Sequence, residues 1–358
     1  MTSESRRPAE PSTSNPGQVL AQEIASQPEV VARFIGANRP VVERIVERLG
    51  DFSYVVVAAR GSSDHVGEYA RYLLPMLWGT PVAPATPSLH THYKTPPRFD
   101  HALVVGISQS GQSPDVVSVL HEARQQGRPT LAITNDAASP LALMADHVIP
   151  LGAGAERSIA ATKTYTCQLA AMALLAAVKN GSADKWRELQ ALPEAMQQTL
   201  ALSRAAAATH GERWKAVQRC LIFARGINLG TAHEIALKLR EVLRLQTQAF
   251  SAADFRHGSV VLLEPGLPAL VIAPGDAARG DILDLTKTLS ASGADVLLIG
   301  EESVPGCGWS PVAPGVPSWL SPLTTVLPAQ LLALSMAESK GIDADRPVGL
   351  SAKVVKTV

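Results

Sequence analysis

Cysteine is scarce and unpaired in this chain. Its 358 residues hold only Cys167, Cys220 and Cys307, an odd number at wide spacing. That argues against a disulfide framework or a zinc-binding spacing, and it fits a reducing compartment. Net charge is also missing. Lys and Arg number 32, Asp and Glu 32, and the isoelectric point is near 7.1. No broad field therefore draws the chain to nucleic acid or to a membrane surface. Met1 to Gly17 are Ser, Pro and charge without an apolar stretch, the composition of a disordered tail rather than a signal peptide. No apolar run of about 18 residues is read anywhere, so the expectation is a cytoplasmic protein without membrane spans.

Three familiar motifs fail on spacing in the stretch Gly106 to Asp115 (GISQSGQSPD). Ser108 occupies the middle glycine of G-x-G-x-x-G, no Gly-Lys-Ser/Thr ending of a P-loop is present, and Ser110 stands where G-x-S-x-G needs its last glycine.

What this stretch does contain is a strand-to-helix turn. Ala102 to Val105 is apolar and β-branched, as a buried parallel strand is, and Val116, Val117, Val119, Leu120 and Ala123 follow with helical spacing. Ser113 suits the N-cap, Pro114 the first helical position and Gly127 the C-terminal stop. Ser108, Gln109, Ser110 and Ser113 thus surround a helix N-terminus, whose free N–H groups and dipole favour an anion by roughly 0.3 to 2 kcal/mol. With no Lys or Arg in the turn itself, the chemistry suits a phosphate ester held by neutral donors. An isolated Ser/Gly turn is ordinarily no more than a capped loop. Its context gives this one weight.

The length allows two domains. Gln18 to Gly50 has helical periodicity that breaks before Pro28 and Pro40, predicting two or three helices. A strand over Tyr54 to Ala59 runs through Arg60 to Ser63 into a helix over Val66 to Leu77. Further short strands are expected at 102–106, 131–134 and 147–150, alternating with helices in a doubly wound α/β pattern. Helices over 161–179 and 183–209 separate this half from the next.

The second half repeats the first. Val57 to Gly61 returns as Ile222 to Gly226, Ala102 to Val105 as Ala269 to Ile272, and the strand near Leu131 as that near Val296. The copies differ where Ser108 to Gly111 gives way to Pro274, Gly275 and Asp276, whose carboxylate opposes a phosphate. The expected units are a tail (1–17), a first unit with the phosphate loop (18–190), a linking helix (191–210), a second unit with the catalytic helix (211–348) and a C-terminal tail (349–358).

In the second copy, Glu234, Lys238 and Glu241 stand at i, i+4 and i+7 and form one stripe beside the apolar Ile235, Leu239 and Val242. On a lone helix such a stripe is a solvated face; here the helix follows a strand end where α/β sheets bind ligands. His257 precedes Gly258 in an expected loop. His90 and His92 lack further ligands for a metal site.

Taken together, the repeat, Ser108 to Gly111, the helix from Glu234 to Glu241, His257 and a C-terminal lysine resemble the sugar isomerase (SIS) family. The closer likeness is to the tandem isomerase half of glucosamine-6-phosphate synthases and to the related deaminases, from about Leu20 to the end. The resemblance implies an α/β fold of two tandem SIS domains, each a doubly wound parallel sheet flanked by helices. It also implies a homodimer acting on a small-molecule sugar phosphate, with no metal, organic cofactor, nucleic acid or membrane partner. By position, Ser63, Ser108, Gln109, Ser110 and Ser113 match sugar-phosphate ligands. Glu241 matches the glutamate that moves a proton between C1 and C2, and Glu234 and Lys238 match the polar face beside it. His257 matches a ring-opening histidine that the partner subunit supplies. Lys353 matches the tail lysine, with Lys356 the alternative because Ala352 shifts the register. Ala161 replaces a synthase serine, as in the deaminase branch, and neither a glutaminase nor a helix-turn-helix segment precedes the matched part. The implied activity is conversion of glucosamine 6-phosphate to fructose 6-phosphate and ammonia. Fructosamine-6-phosphate deglycation, plain aldose/ketose isomerisation and non-catalytic sugar-phosphate sensing are the alternatives.

Overall fold

The computed structural model describes residues 16–347 and 349. The first half runs α1 (Gln18–Val46), β1 (Tyr54–Ala58), α2 (Ser62–Trp78), β2 (Val82–Pro84), α3 (Ser88–Thr91), β3 (Ala102–Ile107), α4 (Pro114–Gln125), β4 (Thr130–Thr134), α5 (Pro140–Met144) and β5 (His147–Pro150). The helices α6 (Lys163–Asn180) and α7 (Ala183–Arg213) lead into the second half. It continues as β6 (Arg219–Ala224), α8 (Leu229–Leu243), β7 (Gln246–Ser251), α9 (Ala252–Arg256), β8 (Pro268–Ala273), α10 (Arg279–Ala291), β9 (Asp295–Gly300), β10 (Gly308–Pro311) and α11 (Ser321–Lys340).

The strands form two parallel sheets, ordered β2-β1-β3-β4-β5 and β7-β6-β8-β9-β10, flanked by helices as the α/β expectation requires. The two orders are the same, and so is the register around the central strand. Val55 pairs with Val82 and Leu103, and Leu221 with Gln248 and Ala269, so separations of 27 and 48 residues recur in both sheets. One sequence match needs correcting. With Arg60 and Gly61 set on Arg225 and Gly226, Val56 corresponds to Leu221, and their partners Val104 and Ala269 correspond as well. The likeness of Ala102 to Ala269 is therefore two residues out of step. A two-residue slip keeps each side chain on its own face, so the apolar pattern does not reveal it.

Alternation along the strands sorts the core into layers. Val55, Val57, Leu103, Val105, Ile222, Ala224, Leu270 and Ile272 all face one cluster that contains α1, α2, α6, α8 and α11. Val56, Ala58, Ala102 and Val104 face a second cluster under α4 and α5. Leu221, Phe223, Ala269 and Val271 face a third, under α9 and α10. The inner helices thus lie in a core common to both sheets, and the expected link at 191–210 is the interior of the continuous helix α7.

One expectation about helices is overturned. Residues 18–46 form one helix although Pro28 and Pro40 lie inside it. Proline removes an N–H and leaves the carbonyl four residues earlier unpaired. At Pro28 the buried Gln27 amide compensates by donating to Ile24 O at 3.0 Å. At Pro40 the orphaned carbonyl belongs to exposed Gly36, on the solvent side. Helix α11 is a separate case. Ser318–Lys340 is long and apolar enough to cross a membrane, with mean hydropathy 1.4, yet 94% of that window is buried inside the protein. It is a core helix, packed along α7 and α8.

Candidate active site

In a sheet of order 2-1-3-4-5, the helices that follow the two central strands leave toward opposite faces, and a crevice opens between their N-termini. Here those strands are β1 and β3, which pair directly. Helix α2 goes to the inner core through Val66, Tyr69 and Leu73, and α4 to the outer layer through Val116 and Val119. Ser63, 7% exposed, stands in the first turn of α2, and Ser108 to Ser113 lead into α4.

The phosphate-loop candidates are held from below. Asn135 N donates to Gln109 O at 3.1 Å, and Leu141 N to Gly111 O at 3.0 Å. Ser108 Oγ accepts from Gly111 N at 3.1 Å, and Ser110 Oγ from Gln112 N at 3.3 Å. Gly111 has φ +64°, and a Cβ there would lie 2.0 Å from Ser139 Oγ, so only glycine fits. Ser113 is the N-cap residue by position, with Pro114 following it, but its hydroxyl makes no cap bond. The Ser113 Oγ is buried without a hydrogen-bond partner among the described residues. The capping role predicted for that hydroxyl is thus not the one it has. The turn is also not remote from positive charge. Arg60, at the end of β1, pairs with Asp115 of α4 at 2.8 Å and ties the two sides of the crevice together.

In the equivalent turn of the second half, acids take up backbone donors. Glu301 Oε1 accepts from Gly275 N at 3.2 Å, and Asp276 Oδ1 from Ala278 N at 2.9 Å. Arg225 pairs with Asp281 at 3.2 Å, as Arg60 does with Asp115. The opposing carboxylate read at Asp276 is present, and Glu301, absent from the sequence expectations, joins it.

Helix α8 brings its three candidates together as read. Glu234 is fully buried and Lys238 is 4% exposed, with Nζ 3.5 Å from Glu234 Oε1. Lys238 also donates to Glu241 Oε2, whose side chain keeps 24% exposure. Burial pushes the Glu234 carboxyl up, but the Lys238 ammonium and His65 outweigh it and hold the group below its ordinary range. Burial likewise works against charge on Lys238, and Glu234 and Glu241, flanking it, raise it above the ordinary lysine value. Glu156 adds to that field. Its carboxylate accepts from Thr162 N at 2.7 Å, which fixes the loop around Ala160 to Lys163.

Sequence reasoning missed the groups that join the two halves. His65 Nδ1 lies 2.8 Å from Glu234 Oε2, and His233 Nδ1 lies 2.6 Å from Glu68 Oε2, so α2 and α8 exchange reciprocal His–Glu contacts. Gly230 lets them approach, since a Cβ there would lie 2.5 Å from His65 O. The available signal was that each helix carries one His and one Glu in its first two turns. His257 behaves differently. It caps α9, is exposed, and among the described residues shares no hydrogen bond or ion pair with Glu241. Lys353 and Lys356 lie outside the described residues. Among those described, no cluster of three or more His, Cys, Asp or Glu could hold a metal ion.

Comparison with known proteins agrees with this fold. The SIS domain family model matches residues 53–178, which contain β1 to β5 and the whole Ser108 loop. The glutamine–fructose-6-phosphate aminotransferase (isomerizing) of Streptococcus pneumoniae is 31% identical over 349 residues, covering 94% of this chain and 58% of its own length. This chain therefore spans little more than half of the curated relatives it matches. A candidate phosphosugar isomerase from Silicibacter pomeroyi is 33% identical with a TM-score of 0.85, covering 91% of this chain and 99% of that one. A glucosamine-6-phosphate deaminase from Thermotoga maritima, 21% identical with a TM-score of 0.78 over 94% of this chain and 99% of its own, shares the fold.

Proposed function

The chain belongs to the SIS domain family, and from that premise we propose that it deaminates an amino-sugar phosphate, converting glucosamine 6-phosphate and water to fructose 6-phosphate and ammonia. The second half, with the same strand order as the first, is read as a second SIS unit. The observation that carries the proposal is the array of buried Glu234 and Lys238 with partly exposed Glu241, on a helix whose N-terminal turns contact the helix that begins at Ser62 and Ser63. A phosphate would sit in the crevice between α2 and α4, taking donors from Ser63, Ser108, Gln109, Ser110 and the free hydroxyl of Ser113. Glu241, partly exposed and held by Lys238, would take the C2 proton of the open aldose amine and return it to C1. With the amine nitrogen giving up one proton and O1 gaining one, that yields a ketose imine. Water adds to the imine carbon and ammonia leaves, so atoms and charge balance. Such general acid/base catalysis contributes about 10² to 10⁴ in rate. Ala161, where synthases carry serine, favours the deaminase over the synthase reading.

His257 would act from one subunit on the sugar held by another. Its exposure fits that role, as does its neighbour, the 3₁₀ turn Ser259–Leu262, where Val261 is 83% exposed. Light scattering of the purified protein should give a dimer mass.

The deciding experiment is an ammonia assay with glucosamine 6-phosphate, alongside fructosamine 6-phosphate and simple hexose 6-phosphates. Release from glucosamine 6-phosphate supports deamination. Turnover of only the glycated amine identifies a deglycase, and aldose/ketose interconversion without ammonia a plain isomerase. Glu241→Gln should still bind the phosphate ester while losing about 10³-fold or more in turnover, since the carboxylate is the base. Binding with full retention of a downstream response would instead identify a sensor.

A further inference from the structure

We infer that His65 is a positioning residue for the proposed reaction, acting across the junction of the two halves through Glu234 on the Lys238 that holds Glu241. The inference rests on the proposed function. Its warrant is an unbroken series of contacts. His65 Nδ1 meets Glu234 Oε2 at 2.8 Å, Glu234 Oε1 faces Lys238 Nζ at 3.5 Å, and Lys238 donates to Glu241.

Burial makes that series informative. Glu234 is fully buried, and a buried carboxylate must be compensated on both oxygens or become costly. The Lys238 ammonium faces one oxygen at 3.5 Å as an ion pair without a hydrogen bond, while His65 bonds the other and the Ser62 hydroxyl also favours the charged form. Without His65 the Glu234 carboxylate would turn toward Lys238, its remaining charged partner, and draw the ammonium away from Glu241. The other ionisable groups around this point are few. Asp64 and Glu68 lie beside His65 on α2, His233 on α8 with its ring 6.0 Å away, and Tyr165 on α6 senses the Glu234 charge.

The fold contains its own control. His233 and Glu68 bridge the same two helices at 2.6 Å, but no contact described for Glu68 leads to Lys238. A bridge that merely fastens α2 to α8 would be equivalent to the other. A positioning residue would not.

The experiment compares His65→Ala, His65→Asn and His233→Leu with wild type by steady-state ammonia release and by denaturant unfolding. Asn places an amide donor where Nδ1 stands, so it should keep Glu234 in place. His65→Ala should lower kcat by about 10- to 100-fold, the size of effect expected when a catalytic group shifts by about an ångström. Its KM should stay within about threefold, because the phosphate crevice is untouched. His65→Asn should restore kcat to within about threefold of wild type, and His233→Leu should lower stability while leaving kcat unchanged. Wild-type kcat in His65→Ala, or equal losses in His65→Ala and His233→Leu, would overturn the inference and leave the proposed function standing. A wild-type protein that binds hexosamine 6-phosphate but never turns it over would overturn both.

Discussion

Among single residues, Glu234 and Lys238 depend on one another more closely than their helix spacing alone demands. Folding holds the Glu234 carboxyl below its ordinary 4.5, so its contribution to stability is complete above that value and is lost as pH falls through the lower folded value. The Lys238 ammonium is raised above 10.5, so its contribution is complete below that value and is lost as pH rises through the higher folded one. The contribution of this pair to unfolding free energy should therefore be flat between these limits, and Glu234→Gln should blunt the loss on the acid side. Denaturant titrations across that range check both. Gly111 makes a different demand. Gly111→Ala combines a positive φ with a contact near 2.0 Å to Ser139, and should cost about 2–3 kcal/mol and abolish the thermal shift given by hexose 6-phosphates.

Helix α1 illustrates how an element survives two prolines. Its length of 29 residues, with Phe34, Ile35 and Val42 buried on one side, outweighs the lost backbone bonds. Gln27 repairs one of those losses and also reaches Gln330 of α11 at 2.7 Å. Gln27→Ala should leave the buried Ile24 carbonyl without a donor and lower stability by about 1–3 kcal/mol in chemical denaturation, with turnover per folded molecule unchanged. Helix α8 shows the complementary case. Its polar stripe matches a solvated surface in pattern, but α2 covers its first turns and buries the charges.

At the scale of the whole molecule, the common core makes the two sheets one folding unit. Leu327 of α11 is fully buried among residues drawn from both halves. Leu327→Ala should therefore cost about 2–5 kcal/mol, and probes in either sheet should report the same single transition. Two separate transitions would show that the halves fold independently.

Local pattern was enough for much of this protein. Runs such as Ala102 to Val105 are apolar because both faces of a central strand are buried, and Gly111 and Pro114 mark a turn their backbones suit, so the parallel strands and the turn at Ser108 could be read from sequence. The stripe of Glu234, Lys238 and Glu241 follows from helical geometry alone. Tertiary structure decided what a single helix cannot encode: that Glu234 is buried, that His65 reaches it from the other half, that Glu301 takes the Gly275 N–H, and that α1 continues past its prolines. Each of these depends on groups far apart in the chain meeting in a low-dielectric interior, where the partner across the gap, rather than the neighbour in sequence, sets the energy.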